Sequence, residues 1–536
     1  TIYRPLNNFF LNPFMEYLRR TFVCKNQIKK GLLGVKEAIK FINKKHSIAL
    51  MVDQRVSEGE KIEFFNEKAL TTTLPGQLSL KYNLDIVPIF IERFDENFGG
   101  FGKAPKFPSS HNLIFLLRYH KMYNDIKAKT MVEKTLSQMR LGGIYDHIGF
   151  GFHRYATDQK WFLPHFEKML YDQAMISMAY LETYALTKKK EYAETAEEIF
   201  TYVLRDMADQ DGGFYSAEDA DSEGEEGKFY IWSNNEIIKL LGLKEGQRFI
   251  DMFGFKKEGN FHDEATGELN SKNIPFLENK LSHYAKTNDI NIEKLKINIE
   301  KHRSTIFNKR KDRIHPLKDD KVLTDWNGLM IAALANGSKT LNKDIYMVAA
   351  KRAADFILLK LRDNRGRLHK RYRNGLSGLQ PHIDDYAFLI WGLLEIYESN
   401  FDISYLKSAL DLSDILVSDF LDKEAGGFYI GPENGEQLII RAKDSYDGAI
   451  PSGNAVAAMN FIKLSKFTGN KKWEEIAENI FLAFSDGINQ IPSAHSFMLS
   501  SFMFNTMNPK EIVVVTKQMN LETISSVRKL QSIYNP

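Results

Sequence analysis

Side chains that can move protons are concentrated in residues 142–174. Three of the chain's 13 histidines fall within 19 residues of that stretch. Histidine exchanges protons near neutral pH, and a carboxylate does so where burial raises its pKa. The stretch runs from a glycine-rich loop into a helix, a common position for catalytic groups. The predicted proton carriers here are His147, His153, His165, Asp158 and Glu167, and the predicted ligand contacts are Arg154, Trp161, Tyr171 and Asp172.

A second cluster, residues 211–233, combines acidic and aromatic side chains in a glycine-rich segment. The acids Asp219 and Asp221 resemble those of a calcium loop, but the glutamate required at the twelfth position of an EF-hand is missing. A solvated acidic turn is the simpler interpretation, yet it does not explain why Tyr230 and Trp232 follow directly. We therefore expect this loop to bring acids and aromatic rings to a pocket.

Three further polar clusters come just before apolar helices, at 319–330, 379–388 and 443–457. Paired acids in such a position suit the hydroxyl groups of a sugar or a general acid–base pair. Helix capping is the alternative for Asp325, Asn327 and Asn454. Ser452 lies in Pro-Ser-Gly-Asn and not in the G-x-S-x-G elbow of a serine hydrolase. The candidate residues are Asp325, Trp326, Asn327, His382, Asp384, Asp385, Asp447 and Asn454, of which Asp384 and Asp385 are candidate catalytic groups.

Long helices with apolar faces follow one another after residue 94, separated by Gly-Gly-aromatic turns such as the two GGFY copies at 212–215 and 426–429. Glycine permits the positive φ that ends a helix and turns the chain. Hairpins recurring every ~40–70 residues predict a mainly α protein, a closed (α/α)6 toroid of six hairpins; an open solenoid is the alternative. In a ring, all five clusters would meet at one mouth.

Residues 1–94 have a different texture, alternating helix and short apolar runs at 47–53 and 85–94, which predicts a small α/β segment with a parallel sheet. This segment holds 15 Lys and Arg against 9 Asp and Glu. A basic surface fits anionic headgroups or phosphates, and a solvated helix face explains the charge equally well. The single cysteine, Cys24, favours a reducing compartment, so we expect a cytoplasmic protein with peripheral membrane contact through residues 1–94.

The motifs after residue 94 resemble a known family. FGGFGKAPKFPSSHNLIFLLRY, GGIYDHIGFGFHRYATDQKWFLPHFEKMLYDQA, DDKVLTDWNGLMIAALA and HIDDYAFLIWGLLEIYE are similar to the YyaL-type family, which has a spermatogenesis-associated human member. The resemblance covers about residues 95–536 and implies a six-hairpin glycosidase-like toroid. It also implies a relationship to sugar epimerases that use histidines as acid and base. The thioredoxin-like domain of that family has no counterpart in this chain.

Residues 2–93 instead resemble the later half of a lipid A lauroyl acyltransferase, through SIALMVDQRVSEGEKIEFFNEKALTTTLPGQLSLKY and VPIFIER. The family's H-x-x-x-x-D/E motif is not present, because His46 is followed at the fifth position by Met51. Arg4, Asp53 and Gln54 match other motif positions. The chain is therefore interpreted as a chimera joined near residue 94.

The predicted function is chemistry on a sugar or related polyol, by isomerisation, epimerisation or hydrolysis. The alternatives are acyl transfer to a lipid A precursor, weakened by the missing motif, and a ligand-binding toroid without turnover. Neither His-x-x-x-His nor His-Glu-x-x-His spacing is present, so no metal is expected. We expect no cofactor and no nucleic-acid partner, and a small, carbohydrate-like ligand.

Overall fold

A computed structural model describes residues 94–262, 267–436 and 440–507, the helix Leu521–Gln531, residues 512 and 514–517, and short stretches before residue 94. The chain divides into two compact units, Thr1–Ile89 and Phe90–Pro536. The predicted boundary at 94 falls a few residues later than this division.

The first unit is described only in part. Strand β1 (Ile2–Tyr3) pairs in parallel with β2 (Ile28–Lys29), and β3 (Glu60–Phe64) forms an antiparallel hairpin with β4 (Glu67–Thr71). The predicted strands 47–53 and 85–94 lie outside the described residues, except for Phe94. The same is true of Arg4, Asp53 and Gln54.

The second unit is helical, with sixteen helices among the residues that the structure describes. In chain order they are α1 (Ser110–Tyr123), α2 (Ile126–Leu141), α3 (Leu170–Thr187), α4 (Lys190–Tyr202), α5 (Asn234–Leu241), α6 (Leu243–Met252), α7 (Leu281–Thr287), α8 (Ile292–Arg310), α9 (Thr324–Leu341), α10 (Asp344–Lys360), α11 (Ile383–Asn400), α12 (Ile403–Phe420), α13 (Gly453–Thr468), α14 (Lys471–Gln490), α15 (Ser496–Thr506) and α16 (Leu521–Gln531).

Six of these helices form a closed inner ring in the order α1, α3, α9, α11, α13 and α15, since each contacts the next and α15 contacts α1. Five inner helices are followed by an outer helix that packs on them: α2, α4, α10, α12 and α14. Helix α11 is apolar on nearly every face and almost wholly buried, as a helix surrounded by others must be. The predicted (α/α)6 toroid is confirmed, and the open solenoid is excluded by the contact between α15 and α1.

The inner helices α9 and α11 approach each other very closely. A Cβ on Gly328 would lie 2.4 Å from the carbonyl carbon of Phe388, so only glycine fits between the two backbones. This close approach fixes the relative height of two helices that both carry candidate site residues in their first turns.

Short strands join the hairpins at the amino ends of the inner helices. They are β5 (Tyr155–Ala156), β6 (Pro164–His165), β7 (Lys168–Met169), β8 (Ala217–Glu218), β9 (Asp221–Ser222), β10 (Glu225–Glu226), β11 (Lys318–Asp319), β12 (Val322–Leu323), β13 (Arg371–Arg373) and β14 (Leu376–Gly378). β7, β8 and β11 form one antiparallel sheet, β12, β13 and β14 form another, and β5–β6 and β9–β10 are hairpins. These strands hold the loops that surround the mouth of the ring.

One polar contact repeats around the ring. The side-chain amide of Asn454 accepts a hydrogen bond from Phe428 N at 2.8 Å and donates to Phe428 O at 3.0 Å. Asn327 does the same with Phe214, and Gln173 with Phe152. The GGFY repeats are therefore real structural repeats, in which an amide in the first turn of an inner helix holds the preceding turn.

The helices α5 to α8 form an insertion with a small core of its own, built around Ile237, Phe249 and Phe253. A buried ion pair attaches the last of these helices to the ring. Arg310 donates to both carboxylate oxygens of Asp146, at 2.9 and 2.8 Å, and Lys168 Nζ lies 2.8 Å from the same carboxylate. The insertion is thus a packed helical layer attached to the ring.

Candidate functional site

Five of the six inner helices carry one residue on the axis-facing side, at the N-cap or in the first turn. A cavity of about 140 Å³ lies deeper along this axis, lined by Arg118, Glu182, Asn336, Trp391 and Lys463 among others. Residues 7 or 11 positions apart lie on the same face of an α-helix. The residues at those spacings from the cavity-lining residues are His111, Tyr171, Asp325 and Asp384 in the first turns of their helices and Ser452 at the N-cap of α13. They form the layer that we call the axial mouth.

Two carboxylates and a lysine bring helices α9 and α11 together at the axial mouth. Lys370 Nζ lies 2.5 Å from Asp325 Oδ2 and 3.4 Å from Asp385 Oδ1. The amide of Asp325 also donates to Asp385 Oδ1 at 3.1 Å. Burial, together with the neighbouring Asp325 carboxylate, raises the pKa of Asp385 well above its usual range. The two carboxylates are therefore linked through one lysine and one backbone amide.

Asp384 lies next to this pair and faces the axis. Its carboxylate accepts a hydrogen bond from the Gly453 amide of α13, and a Cβ on Gly453 would lie 2.3 Å from Asp384 Oδ1. Burial and the Asp325 carboxylate raise the pKa of Asp384 to about 7. A carboxyl in that condition is close to half protonated at neutral pH, so it can either give or accept a proton.

Asp447 connects α13 to α15 behind the axial mouth. Its two carboxylate oxygens accept from Ser452 N at 3.0 Å and from Phe497 N at 2.7 Å. Burial raises its pKa to about 7 as well. Since both oxygens accept from backbone amides, this side chain holds the first turns of α13 and α15 together.

A charged group on the loop side of α3 contains a second set of predicted residues. Arg154 donates to Glu167 at 3.0 Å, and His165 Nδ1 lies 2.7 Å from Glu226. Hydrogen bonds to Glu167 and Glu226 raise the pKa of His165 to about 9. The imidazole is then a cation at neutral pH, which suits binding and excludes a role as proton acceptor.

Aromatic and acidic side chains connect this group to the carboxylates. Tyr171 hydrogen-bonds to Arg154 and meets the edge of Trp326 with ring centroids 4.8 Å apart. Asp172, beside Tyr171, is 7% exposed, and its Oδ2 has no hydrogen-bond partner among the described residues. Contacts therefore run without a break from Arg154 through α3 and α9 to Lys370.

Two of the predicted proton carriers are buried away from the axial mouth. His147 lies against Gly142 O and the Arg140 guanidinium, and burial, with that charge, lowers its pKa to about 3. His153 bonds Phe166 O at 2.8 Å, and burial lowers its pKa to about 3 also. Both rings are neutral and hydrogen-bonded to backbone, so the structure gives them a role in folding the loop and not in proton transfer.

Other predicted residues also serve the framework of the mouth. The Asp158 carboxylate accepts from the backbone of its own turn, at Phe162 N and elsewhere. Trp161 is fully buried and donates to Phe98 O at 2.9 Å. Tyr230 and Trp232 are buried, the latter in the core of the insertion. The amides of Asn327 and Asn454 bond the backbone of the preceding turn, and neither residue is the helix cap, since the N-cap positions are Leu323 and Ser452.

Asp219, Asp221 and His382 are exposed. The Asp221 amide donates to Asp219 Oδ1, as in a solvated turn. It is Glu226, at the far end of the same acidic loop, that reaches His165.

The sequence did not single out Glu226, Lys370 or His111. Lys370 lies in a basic stretch, HKRYR, that reads as a solvated strand, and no local pattern distinguishes it. In the described part of the chain, no group of three His, Cys, Asp or Glu is arranged to hold a metal ion. Nor does any helix of that part have the length and apolar character needed to cross a membrane.

Comparison with known proteins supports both resemblances. Residues 1–106 match the family model of the bacterial lipid A biosynthesis acyltransferase. The chain is 35% identical to human spermatogenesis-associated protein 20 in an alignment 476 positions long, which covers 83% of this chain and 61% of the relative. The mouse protein of the same name gives 35% identity, 83% and 60%. The chain thus spans about three fifths of the length of these curated relatives. The sequence resemblance to the family with spermatogenesis-associated members is confirmed.

Solved structures with a similar course of the chain include sugar-converting enzymes. Cellobiose 2-epimerase from Bacillus thermoamylovorans is 12% identical, with a TM-score of 0.47 over 78% of this chain and 87% of that one. A D-mannose isomerase is 12% identical, with a TM-score of 0.48 over 74% of this chain and 82% of that one.

Proposed function

We propose that the toroid is an acid–base enzyme acting on a sugar or related polyol, and that Asp384 transfers the proton. The observation that carries this is the position of its carboxyl. It faces the axis in the first turn of α11, flanked by Asp325 and by Lys370, which bridges to Asp385. Hydrogen-bonding groups of both kinds, with the Tyr171 and Trp326 rings beside them, suit a ligand that presents hydroxyls and an apolar ring face.

The pKa of Asp384 supports the same role. A protonated carboxyl can protonate a glycosidic oxygen or a carbonyl oxygen, and the ionised form can take a proton back. The neighbouring Lys370 ammonium can stabilise negative charge that develops on oxygen. These steps are common to hydrolysis of a glycoside and to isomerisation of a free sugar, so the test must include both.

The test is a turnover screen with the full chain. Aryl glycosides and oligosaccharides report hydrolysis, and free aldoses and ketoses report isomerisation or epimerisation. Asp384→Asn should lower kcat by ~10²–10⁴-fold, the usual effect of losing an acid–base group. Asp486→Asn, at an exposed position on the outer helix α14, is the matched control and should keep full activity. Turnover that survives in Asp384→Asn would refute the proposal, as would a wild-type chain that converts none of these sugars.

A further inference from the structure

His111 lies in the first turn of α1 and belongs to none of the ionisable clusters found in the sequence. It is seven positions before Arg118, which lines the axial cavity, so its side chain is on the axis-facing side of α1. By the same spacing, Asp384 is seven positions before Trp391 on α11. His111 and Asp384 are therefore members of the same layer, on two of the six inner helices.

The hydrogen bonding of His111 differs from that of the other buried histidines that the structure describes. The rings of His120, His147, His153 and His495 each contact a backbone carbonyl oxygen. His111 is 2% exposed, yet its Nδ1 has no hydrogen-bond partner among the described residues. A buried polar atom without a partner is uncommon in a folded protein, and a bound ligand is one of its ordinary explanations.

The inner helices on either side of α1 show the same feature in their first turns. Asp172 Oδ2 on α3 and Ser496 Oγ on α15 are buried and have no partner in the described part of the chain. Three consecutive helices of the ring, α15, α1 and α3, thus each hold an unsatisfied polar atom at the mouth end. The other half of the ring, α9 and α11, carries the carboxylates and Lys370. Of these three residues, His111 is the one on the axis-facing side by helix spacing, since Tyr171 and Phe497 hold that position on α3 and α15.

Resting on the proposed function, we propose that His111 is a second catalytic residue, which accepts a proton from the substrate while Asp384 donates one to it. The bond from hydrogen to the substrate breaks as the bond from hydrogen to the imidazole nitrogen forms. At Asp384 the O–H bond breaks and the proton passes to a substrate oxygen. The protein's total of bound protons is unchanged by the step, so no further reactant is required.

The state of the imidazole agrees with this assignment. Burial lowers the pKa of His111 to about 4, so the ring is neutral at physiological pH and has a lone pair available. Asp384, by contrast, keeps its proton up to about pH 7. Two titratable groups whose pKa values are displaced in opposite directions are the usual arrangement of a catalytic acid and base.

The first experiment tests the shared layer without any substrate. The chain is labelled with ring-13C histidine, and the His111 Cε1–H resonance is assigned by its loss in His111→Gln. We expect this resonance to move in Asp384→Asn and to stay in place in Asp486→Asn. A His111 resonance unmoved by Asp384→Asn would overturn the inference, because the two groups would not share one site.

The second experiment measures kinetics on any sugar that the wild-type chain converts. His111→Gln should lower kcat by ~10²–10⁴-fold while KM changes far less, as expected for an acid–base group. An unchanged melting temperature shows that the variant is folded. If His111→Gln keeps the full kcat while Asp384→Asn loses it, the role of His111 is refuted and the role of Asp384 stands. A wild-type chain that converts no sugar would refute the proposed function itself.

Discussion

At the scale of single residues, burial and neighbouring charges change the pKa values of side chains in and near the axial mouth. Burial raises the pKa of Asp384 to about 7 and lowers that of His111 to about 4, whereas two carboxylates raise that of His165 to about 9. Residue type alone would have ranked all histidines equally. The surroundings of each ring distinguish them: His111 is the proposed base, His165 is a cation, and His147 and His153 hold the backbone of their loop.

The raised pKa of Asp384 makes a prediction about stability. The folded chain holds this proton up to about pH 7, whereas an unfolded aspartate releases it near pH 4. The stabilisation is therefore complete below pH 4 and is lost as the pH rises through 7. Asp384→Asn should melt higher, relative to wild type, at about pH 8 than at about pH 4.5. Thermal melts at both values check this, and an equal difference at both would contradict the assigned pKa.

At the scale of elements, the repeated amide contacts explain how turns and helices stay in register. Asn454 makes three hydrogen bonds to backbone, to Phe428 N, Phe428 O and Asp444 O. Removing the amide leaves buried backbone groups unsatisfied, each at a cost of about 1–3 kcal/mol. We expect Asn454→Ala to lower the free energy of unfolding by about 3 kcal/mol or more in urea. Asn479→Ala, at an exposed site on α14, should change it by less than about 0.5 kcal/mol.

The elements show where sequence reasoning succeeded. Long apolar helices and Gly-Gly-aromatic turns are local signals, so the hairpins and the ring could be predicted from them. The convergence could be predicted only in part: four of the five clusters come before an inner helix, whereas the cluster at 211–233 comes before α5 of the insertion. The roles of Asn327 and Asn454 could not be predicted, because an asparagine just before or within the first turn of a helix can cap the helix, bond a turn or bind a ligand. His111 was missed because no other ionisable residue accompanies it.

At the scale of the whole toroid, a network of ion pairs lies at the end of the axis opposite the mouth. Lys463 donates to Glu395 and Glu398, both at 2.8 Å, and Lys339 lies 3.3 Å from Glu395. Although burial opposes ionisation, Lys463 and Lys339 hold the pKa of Glu395 well below its usual range. Gln531 of α16 donates to Glu398 O at 2.8 Å, beside the same cavity. These contacts join α9, α11 and α13 at the end of the axis far from the mouth residues.

This ion-pair network, which we call the charged floor, should contribute much of the free energy of unfolding of the ring. Glu395→Gln leaves buried ammonium groups without full compensation, and breaking such a pair typically costs about 3–5 kcal/mol. We expect a clear decrease in the urea midpoint for Glu395→Gln. Glu478→Gln, at an exposed position on α14, should leave the midpoint in place. Equal midpoints in the two variants would show that the floor is not required.

The central claim is that one site at the axial mouth binds and converts a sugar, and its location can be measured directly. Crystals of Asp384→Asn, soaked with a sugar that the wild-type chain converts, should trap the ligand without turnover. The account predicts density between Tyr171, Asp325 and position 384, with a ligand atom in hydrogen-bond contact with His111. A sugar bound only in the deeper cavity or on the outer surface, with the mouth empty, would contradict it.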